Sequence, residues 1–376
     1  MQAQNSGPVK TNIPNPIYPV IPERTKIMMQ HPSVAVVILN WNGIKLLEQF
    51  IPPLLLHTPS WVQIIVGDNA STDQSVALLK TNFPTVRVIQ NDINYGYAEG
   101  YNKILEQVEA TYFILLNSDV EVTDGWVSPL IDYLETHTDV AVCQPKIRSW
   151  HSKKHFEYAG AAGGFMDKYG YFFCRGRLFD TLEEDLGQYD DNSEIFWASG
   201  AAFFIRAEWF RRAGGFDAML FAHMEEIDLC WRLKLLGQKI AYVSGAVVYH
   251  VGGGTLNKLS PTKTYLNFRN NLILLYKNLE SGARLRIIAT RFVLDFLAMV
   301  RFMVMGQFSH SFAINRAHFS FLAGLSDWKE TKSKAGFVVT ENRLSRLKGY
   351  YSGSIAADYF MKGKKYFTEL LGEKIN

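Results

Sequence analysis

Four stretches of mostly apolar residues follow one another in the first third of the chain, and each ends in polar or glycine residues. They cover 34–39, 62–66, 86–90 and 112–116. Near-continuous apolar runs of this kind predict buried parallel strands, because a parallel sheet is covered on both faces. Helix-forming residues such as 74–80 separate the runs. The pattern therefore predicts an α/β fold with a mostly parallel sheet and flanking helices.

The polar ends of these strands are expected to lie together, because open α/β sheets bind ligands outside the carboxyl ends of their strands. The ends are Asn40-Trp41-Asn42-Gly43, Asp68 with Ser71-Thr72-Asp73, 91–102 with Gly96 and Gly100, and Asn117-Ser118-Asp119. Each end could be an ordinary turn. Four in succession are better explained by one nucleotide crevice. The chain has neither G-x-G-x-x-G after the first strand nor G-x-x-x-x-G-K-[ST], which argues against a dinucleotide fingerprint and a P-loop.

Two groups of acids suggest chemistry. Asp119, at a strand end beside Asn117, suits a hard divalent cation that shares its ligands with a phosphate. Glu225, Glu226 and Asp228 open a helix-forming stretch. Negative charge there complements the helix dipole, which is a sufficient structural reason for some of the three. Crowded carboxylates also have split pKa values, so one member can serve as a general base.

Composition excludes some classes of protein. The chain has 376 residues, 48% of them hydrophobic, and a net charge of +3. This length predicts about two to three domains, and the charge is too small to argue for nucleic-acid binding. Three cysteines, Cys143, Cys174 and Cys230, are odd in number and widely spaced. They match no metal motif and indicate a reducing compartment.

The motifs together resemble an inverting glycosyltransferase of family 2 with the GT-A fold, and most closely its rhamnosyltransferase-like branch. The matching pieces, in family order, are VVILNWNG, VGDNASTDQS, NYGYAEGYN, LLNSDVEV, SGAAFFIRAEWFRRAGGFD, HMEEIDLCWRLKLLG and VYHVGGGT, with a weaker echo at Asn267-Phe268-Arg269-Asn270. They run from Val34 to Thr255, over roughly two thirds of the chain. The order and number of the motifs make a chance match improbable.

The resemblance implies donor-side roles for the matching residues. Asp68 would hydrogen-bond the pyrimidine base of a UDP- or dTDP-linked sugar, in a pocket lined by Asn40 and Trp41. Asn117-Ser118-Asp119 stands where the family has its D-x-D motif, so Asn117 would be a neutral ribose or phosphate contact next to Ser118. The residues expected to border the nucleotide are Asn94, Gly96 and Asn102.

The resemblance also implies a metal site and a base. Asp119 would bind Mg²⁺ or Mn²⁺, and His250, closing the strand Ile240–Tyr249, would complete the metal shell. Without the family, His250 would be read as a surface histidine at a strand end. Glu226 occupies the family's usual base position, with Glu225 in support. Asp228 would orient the helix or the acceptor.

The expected reaction is inverting transfer from a nucleoside-diphosphate sugar to a glycan or lipid-linked acceptor in cell-surface polysaccharide synthesis. One alternative is a nucleotidyltransferase, but Asn40-Trp41-Asn42-Gly43 lacks the basic residue of such a phosphate loop. The other is a non-catalytic protein that binds a sugar nucleotide or a glycan. Loss of the acids would favour it, yet Asp68, Asp119 and Glu226 are present.

Outside the catalytic domain, expected at 34–260, the chain changes character. Residues 1–33 are proline-rich and predict a flexible tail, and Met28 or Met29 could be the start. Residues 148–194 resemble a variable acceptor-site insertion.

The remaining region, 261–376, predicts helices at Tyr265–Lys277 and Arg284–Gly306. Asp295 and Arg301 interrupt the apolar run of the second helix, which is too short to span a bilayer. Phe and Met residues mixed with arginines indicate a helix in the membrane interface, and the arginines are Arg284, Arg286, Arg291, Arg301 and Arg316. Packing against the catalytic domain or in a homodimer seam is the alternative. With a lipid-linked acceptor, the expected location is the cytoplasmic face of the inner membrane.

Overall fold

A computed structural model describes residues 31–252, 260–328, 344–370 and 375–376. The predicted tail lies outside these residues except for its last three positions, as do Met28 and Met29. The strands are β1 (Val34–Asn40), β2 (Val62–Asp68), β3 (Arg87–Gln90), β4 (Tyr112–Leu116), β5 (Val120–Val122), β6 (Val140–Ser149), β7 (Gly164–Asp167), β8 (Phe172–Cys174), β9 (Arg177–Leu178), β10 (Thr181–Leu182), β11 (Ser193–Ile195), β12 (Ala202–Arg206), β13 (Lys239–His250) and β14 (Tyr350–Tyr351). The α-helices are α1 (Ile44–His57), α2 (Ser75–Asn82), α3 (Gly96–Leu105), α4 (Ser128–Thr136), α5 (Ala207–Arg212), α6 (Glu225–Leu235), α7 (Pro261–Asn278), α8 (Ser281–Val304), α9 (Phe308–Ala323) and α10 (Ile355–Phe360).

The larger sheet has the order β11-β13-β6-β12-β4-β1-β2-β3, with β5 paired to β13. Strands β1 to β4 run parallel to one another, so their carboxyl ends share one edge. Strand β12 runs antiparallel between β4 and β6. The α/β class predicted from the sequence is confirmed.

Strand β1 shows why the apolar runs are continuous. Val34, Val36 and Ile38 enter a core shared with α1 and α4, whereas Ala35 and Val37 enter a second core shared with α3 and α6. Both faces of the strand are therefore covered, and each fully buried Val or Ile contributes about 1.5–3 kcal/mol. The two cores hold the sheet edge at which the polar loops emerge.

A smaller sheet has the order β10-β9-β8-β7-β14. Its first four strands come from the predicted insertion at 148–194, and β14 comes from near the chain end. Tyr350 of β14 lies opposite Met166 of β7 in a parallel pair. A strand from the predicted helical region thus completes this sheet, a pairing that local sequence patterns do not indicate.

Helices α7, α8 and α9 pack on one another, and α8 is polar on its inner face. Arg291 and Asp295 are buried and 3.2 Å apart, and Asp295 also lies 3.2 Å from His318 of α9. Of the two placements left open for this helix, the membrane interface and packing against the rest of the protein, buried Arg291 follows the second and donates to the Gly170 carbonyl at 3.0 Å. Phe292 packs against the core beside His318 and Phe321.

The outer face of α8 and α9 is apolar and exposed. Its residues are Val293, Phe296, Leu297, Val300, Met303, Val304, Phe308, Phe312, Phe319 and Leu322. We call this set the outer apolar face. Within the described ranges, no helix has the length and apolarity required to cross a bilayer.

Candidate active site

The ends of β1 and β2 form the first wall of the crevice. Asn40 and Asp68 are register partners, and Asn40 Nδ2 donates to Asp68 Oδ1 over 3.1 Å. The other carboxylate oxygen of Asp68 accepts from the Ser71 N–H at 2.9 Å. Both polar side chains are buried, whereas Trp41 is 47% exposed at the edge. The wall offers an oriented carboxylate next to an aromatic ring that is open to solvent.

Asn69, which sequence reasoning missed, organises the second wall. Its Nδ2 donates to Asn94 Oδ1 and to the Gly96 carbonyl, each at 2.9 Å. Its Oδ1 accepts from Asn91 Nδ2 at 3.0 Å and from the Tyr95 N–H at 3.2 Å. The available signal was an asparagine directly after Asp68 at the end of β2, where a buried amide can bond a neighbouring loop.

Gly96 and Asn102 have structural contacts in addition to their expected nucleotide role. A Cβ on Gly96 would lie 2.5 Å from the Phe221 ring, and its φ is +77°. Asn102 Nδ2 donates to the Phe216 carbonyl, and its Oδ1 accepts from the Phe216 N–H, each at 2.9 Å. The amide of Asn102 is thus committed to the main chain of another loop.

Strand β12 brings a third segment to the end of β4. The Asn117 N–H donates to the Ala201 carbonyl at 3.0 Å. Tyr97 bridges this junction, since its hydroxyl lies 3.2 Å from both Asn117 Oδ1 and the Gly200 carbonyl. Burial raises the pKa of Tyr97 well above its usual range, which keeps the hydroxyl protonated. Ser118, partly exposed, follows at the turn.

Asp119 and His250 lie side by side because β5 and β13 pair. His250 is opposite Val120 in the antiparallel register, and the Val251 N–H donates to the Asp119 carbonyl at 3.0 Å. His250 Nε2 is 3.1 Å from Asp119 Oδ1, and both residues are 5% exposed. The sequence-predicted metal residues are therefore neighbours despite the 130 residues between them.

Glu157 adds a carboxylate on the far side of the imidazole, where Glu157 Oε2 is 3.4 Å from His250 Nδ1. Burial lowers the pKa of His250, but the two carboxylates together raise it to about 10. Glu157 lies in the variable insertion, where no motif indicated it. A histidine whose second nitrogen faces a carboxylate is the usual arrangement of a histidine metal ligand.

With the proton on His250 Nε2 released, Asp119 and His250 fit a divalent cation that takes its other ligands from phosphate and water. Mg²⁺ binds in this way, through one or two protein groups plus substrate phosphates. Among residues 31–252, 260–328, 344–370 and 375–376, no three His, Cys, Asp or Glu side chains are grouped to hold a metal alone. A cation at the pair would therefore depend on the nucleotide.

Glu225 is buried at the start of α6, and Glu226 is half-buried with its Oε2 shielded from solvent. Burial raises the pKa of Glu226 to about 7, although N–H groups, including that of Gly200, oppose the shift. Burial and the adjacent Glu226 also raise the pKa of Glu225 well above its usual range. Among the described residues, no hydrogen-bond partner reaches Oε2 of either side chain. Near neutral pH the pair therefore contains one carboxyl that can ionise and one that stays protonated.

Asp228 points away from this pair into an ion-pair network. Arg232 Nε donates to its Oδ2 at 2.8 Å, and Asn278 Nδ2 donates to its Oδ1 at 3.0 Å. Burial alone would raise the pKa of Asp228, but Lys277 and Arg232 lower it to about 2. Of the two expected roles for Asp228, the geometry supports orienting the helix.

The fold resembles that of a solved glycosyltransferase structure, GalNAc-T7 with UDP, GalNAc and Mn²⁺. The TM-score is 0.52 at 16% identity, over 67% of this chain and 49% of that one. The chain thus spans about half the length of that protein. The likeness shows the fold, which is GT-A.

Residues 35–212 match the family model described as Glycosyl transferase family 2, so the chain contains a domain of that family. N-acetylglucosaminyl-diphospho-decaprenol L-rhamnosyltransferase of Mycobacterium tuberculosis is 26% identical over 219 residues, which are 54% of this chain and 71% of the relative. Polypeptide N-acetylgalactosaminyltransferase 16 of Mus musculus is 27% identical, over 58% of this chain and 40% of the relative.

Proposed function

We propose that the protein transfers a sugar, with inversion and with the help of Mg²⁺ or Mn²⁺, from a UDP- or dTDP-linked donor to a glycan or lipid-linked acceptor. The observation that carries the proposal is the arrangement of two groups at one sheet edge. Asp119 and His250 lie side by side, where they can bind a cation, and Glu226 lies next to Gly200 with Oε2 of its carboxyl buried.

Donor binding follows from the first two walls. Asp68 accepts hydrogen bonds, so it can receive the imide N–H of a uracil or thymine ring. The exposed ring of Trp41 can stack on that base. The loop held by Asn69 presents Asn94 beside the nucleotide. Asp119 and His250 would hold a divalent cation, which would offset the charge that grows on the leaving diphosphate.

The transfer step needs no covalent enzyme intermediate. The acceptor oxygen forms a bond to the anomeric carbon while the bond to the diphosphate breaks, and the leaving group takes that electron pair. Glu226 receives the acceptor proton. Its carboxyl is suited to this step because its pKa lies near neutral pH, where a base is ionised and still basic. Single displacement inverts the anomeric centre.

The acceptor is proposed to be attached to a lipid, which places the protein at a membrane surface. Support comes from the name of the mycobacterial relative, which acts on a decaprenol-linked substrate. The outer apolar face supplies independent support, because a contiguous exposed apolar face indicates a membrane or protein partner. Exposed Arg286, Arg301 and Arg316 lie on the same two helices and suit anionic lipid.

A donor panel tests the proposal. Purified full-length protein is incubated with UDP- and dTDP-sugars, Mn²⁺ and a polyprenyl-diphosphate-linked sugar acceptor, and released nucleoside diphosphate is measured. We expect release from one donor that depends on both acceptor and metal, with an inverted linkage in the product. Release of pyrophosphate from a nucleoside triphosphate and a sugar phosphate would instead indicate a nucleotidyltransferase. Donor binding without turnover would indicate a binding protein.

A further inference from the structure

The turn that leads into α6 is strained. Phe221, His223 and Met224 have φ values of 63°, 68° and 75°, in the left-handed region that residues with a Cβ disfavour. None of the three is glycine or asparagine. Such conformations persist only where the surroundings hold them, and they concentrate at functional sites. The next two residues along the chain are Glu225 and Glu226.

Asn270 of α7 holds this turn from one side. Its Nδ2 donates to the carbonyls of Leu220, Ala222 and His223 at 3.0, 2.9 and 2.7 Å. The residue is fully buried. One amide group thus bonds three carbonyls of the turn and ties its main chain to α7.

Arg269 fixes the orientation of that amide. Its Nε donates to Asn270 Oδ1 at 2.8 Å, which requires the oxygen to face the guanidinium and the nitrogen to face the turn. Arg269 Nη2 also donates to the carbonyls of Met219 and Leu220, each at 3.1 Å. The two adjacent side chains therefore act on one continuous segment of main chain.

The donor side of the crevice holds the same turn from the opposite direction. The N–H groups of Tyr97 and Ala98, at the start of α3, donate to the Phe221 carbonyl at 2.8 and 3.1 Å. The Phe221 ring covers Gly96 so closely that a Cβ there would clash. The turn therefore lies between the proposed nucleotide loop and the helix that carries Glu226.

We propose that Arg269 and Asn270 are positioning residues: they hold the strained 221–224 turn so that the Glu226 carboxyl stays at Gly200, facing the crevice. This role rests on the proposed transfer reaction. It accounts for three left-handed residues among the four of the turn. It also accounts for a fully buried asparagine whose hydrogen bonds, within the described part of the chain, go to main-chain oxygens of that segment and to Arg269.

Asn270→Ala in the full chain tests the role, and Asn271→Ala is its matched control. Asn271 is a buried asparagine on the same helix, but its Nδ2 donates to the Gly170 carbonyl, away from the turn. We expect N270A to lower kcat by about 10- to 100-fold, since small misplacements of a catalytic group cost up to that factor. Affinity for the nucleoside diphosphate with Mn²⁺ should change by less than about threefold, because Asp68, Asp119 and His250 are positioned by the larger sheet.

The pH profile separates positioning from general destabilisation. If Glu226 moves towards water, its pKa falls and the acidic limb of the kcat profile moves to lower pH in N270A. N271A should keep both the limb and kcat, even if it melts at a lower temperature. Equal losses of kcat in the two variants, or an unmoved limb in N270A, would overturn the proposal.

Relief of strain gives a second test. Glycine adopts a left-handed conformation without a Cβ penalty, so N270A/M224G should recover part of the lost kcat. N270A/M224A removes nearly the same side chain but keeps the Cβ, and should recover none. Equal kcat in the two double variants would contradict a strain-holding role.

Amide hydrogen exchange keeps this test independent of the reaction. Residues 221–226 should exchange faster in N270A than in wild type, with no such change in N271A. If wild type transfers no sugar from any donor, the proposed function fails. The exchange data then still decide whether Asn270 holds the turn, and unchanged exchange in N270A would show that it does not.

Discussion

Asp119 carries the first prediction at the scale of single residues. Asp119→Asn keeps the shape of the side chain and removes the charge that faces His250 across 3.1 Å. We expect transfer to fall almost to background and Mn²⁺-dependent nucleotide binding to weaken, measured by calorimetry with and without the metal. Asp124→Asn, at an exposed acid five positions on, is the control and should change neither quantity. If D119N keeps wild-type turnover and unaltered metal dependence, Asp119 is not a metal ligand.

Glu226 carries the second prediction. Glu226→Gln should lower kcat by about 10²-fold or more, the usual contribution of a positioned base, while nucleotide affinity stays near normal. Because burial raises the pKa of Glu226 to about 7, wild-type kcat should rise with pH through that value and then level off. The variant should lose this rise. Glu208→Gln, at an exposed helix position, controls for the loss of a charge. If E226Q loses nucleotide binding, another residue must be the general base.

Single residues also show where sequence reasoning ends. Asp68, Asp119 and Glu226 could be picked out because each follows a strand or opens a helix with a recognisable pattern. Glu157 and Asn270 could not be assigned roles, because their contacts form only after distant elements pack. Asn102 matched a motif, yet its amide is bonded to the Phe216 main chain. Position in a motif does not reveal which neighbour a side chain faces.

The contact between α6 and α7 carries a prediction at the scale of elements. Asp228 of α6 is bonded to Asn278 and lies near Lys277, both of α7. The pKa of Asp228, about 2 in the folded protein, is below its usual value of about 4. The carboxylate therefore contributes stability above about pH 4, on the order of 2 kcal/mol, which is lost as pH falls from about 4 to about 2.

Asp228→Asn should accordingly lower the melting temperature at pH 7. Lys277 keeps its second partner, Asp217, but buried Arg232 loses its carboxylate, and breaking a buried pair costs about 3–5 kcal/mol. The difference between wild type and variant should narrow as pH is lowered from 5 to 3, followed by calorimetric melting. A difference in melting temperature that narrows in this way would identify the Asp228 carboxylate as the group that stabilises the wild type. A constant difference across that range, or a larger fall in kcat than E226Q shows, would assign Asp228 to the chemistry instead.

At the scale of elements, the sequence patterns located the strands β1 to β4 and β13 and the helices α2, α6, α7 and α8, but not their partners. The strand expected at Ile240–Tyr249 is β13, Lys239–His250, one residue longer at each end. Nothing in its pattern indicated that it pairs with three-residue β5, the pairing that places His250 beside Asp119. Likewise, the apolar run in α8 predicted an amphipathic helix. The face of α8 that packs inward could not be identified from the sequence, because that face carries the charged residues Arg291 and Asp295.

The whole molecule combines a crevice at one sheet edge with the outer apolar face on α8 and α9. The arrangement suits an enzyme whose acceptor is attached to a lipid, because the same chain can then bind the bilayer and the nucleotide at once. The buried ion pair Arg291–Asp295 supports this interpretation. Arg291 and Asp295 neutralise each other inside the protein. Residues 296–305 contain no acidic side chain that would repel anionic lipid.

We therefore predict that the full-length protein sediments with anionic liposomes at low ionic strength and is released as salt rises, because surface-charge attraction is screened. F296S/F312S/F319S should abolish sedimentation without altering the melting temperature or nucleotide binding, since these side chains are each more than half exposed. Leu56→Ser, at an exposed apolar residue of α1, should sediment like wild type. If the outer apolar face is a homodimer interface instead, the wild type will not sediment with liposomes. Analytical ultracentrifugation will then show a dimer for the wild type and a monomer for the triple variant.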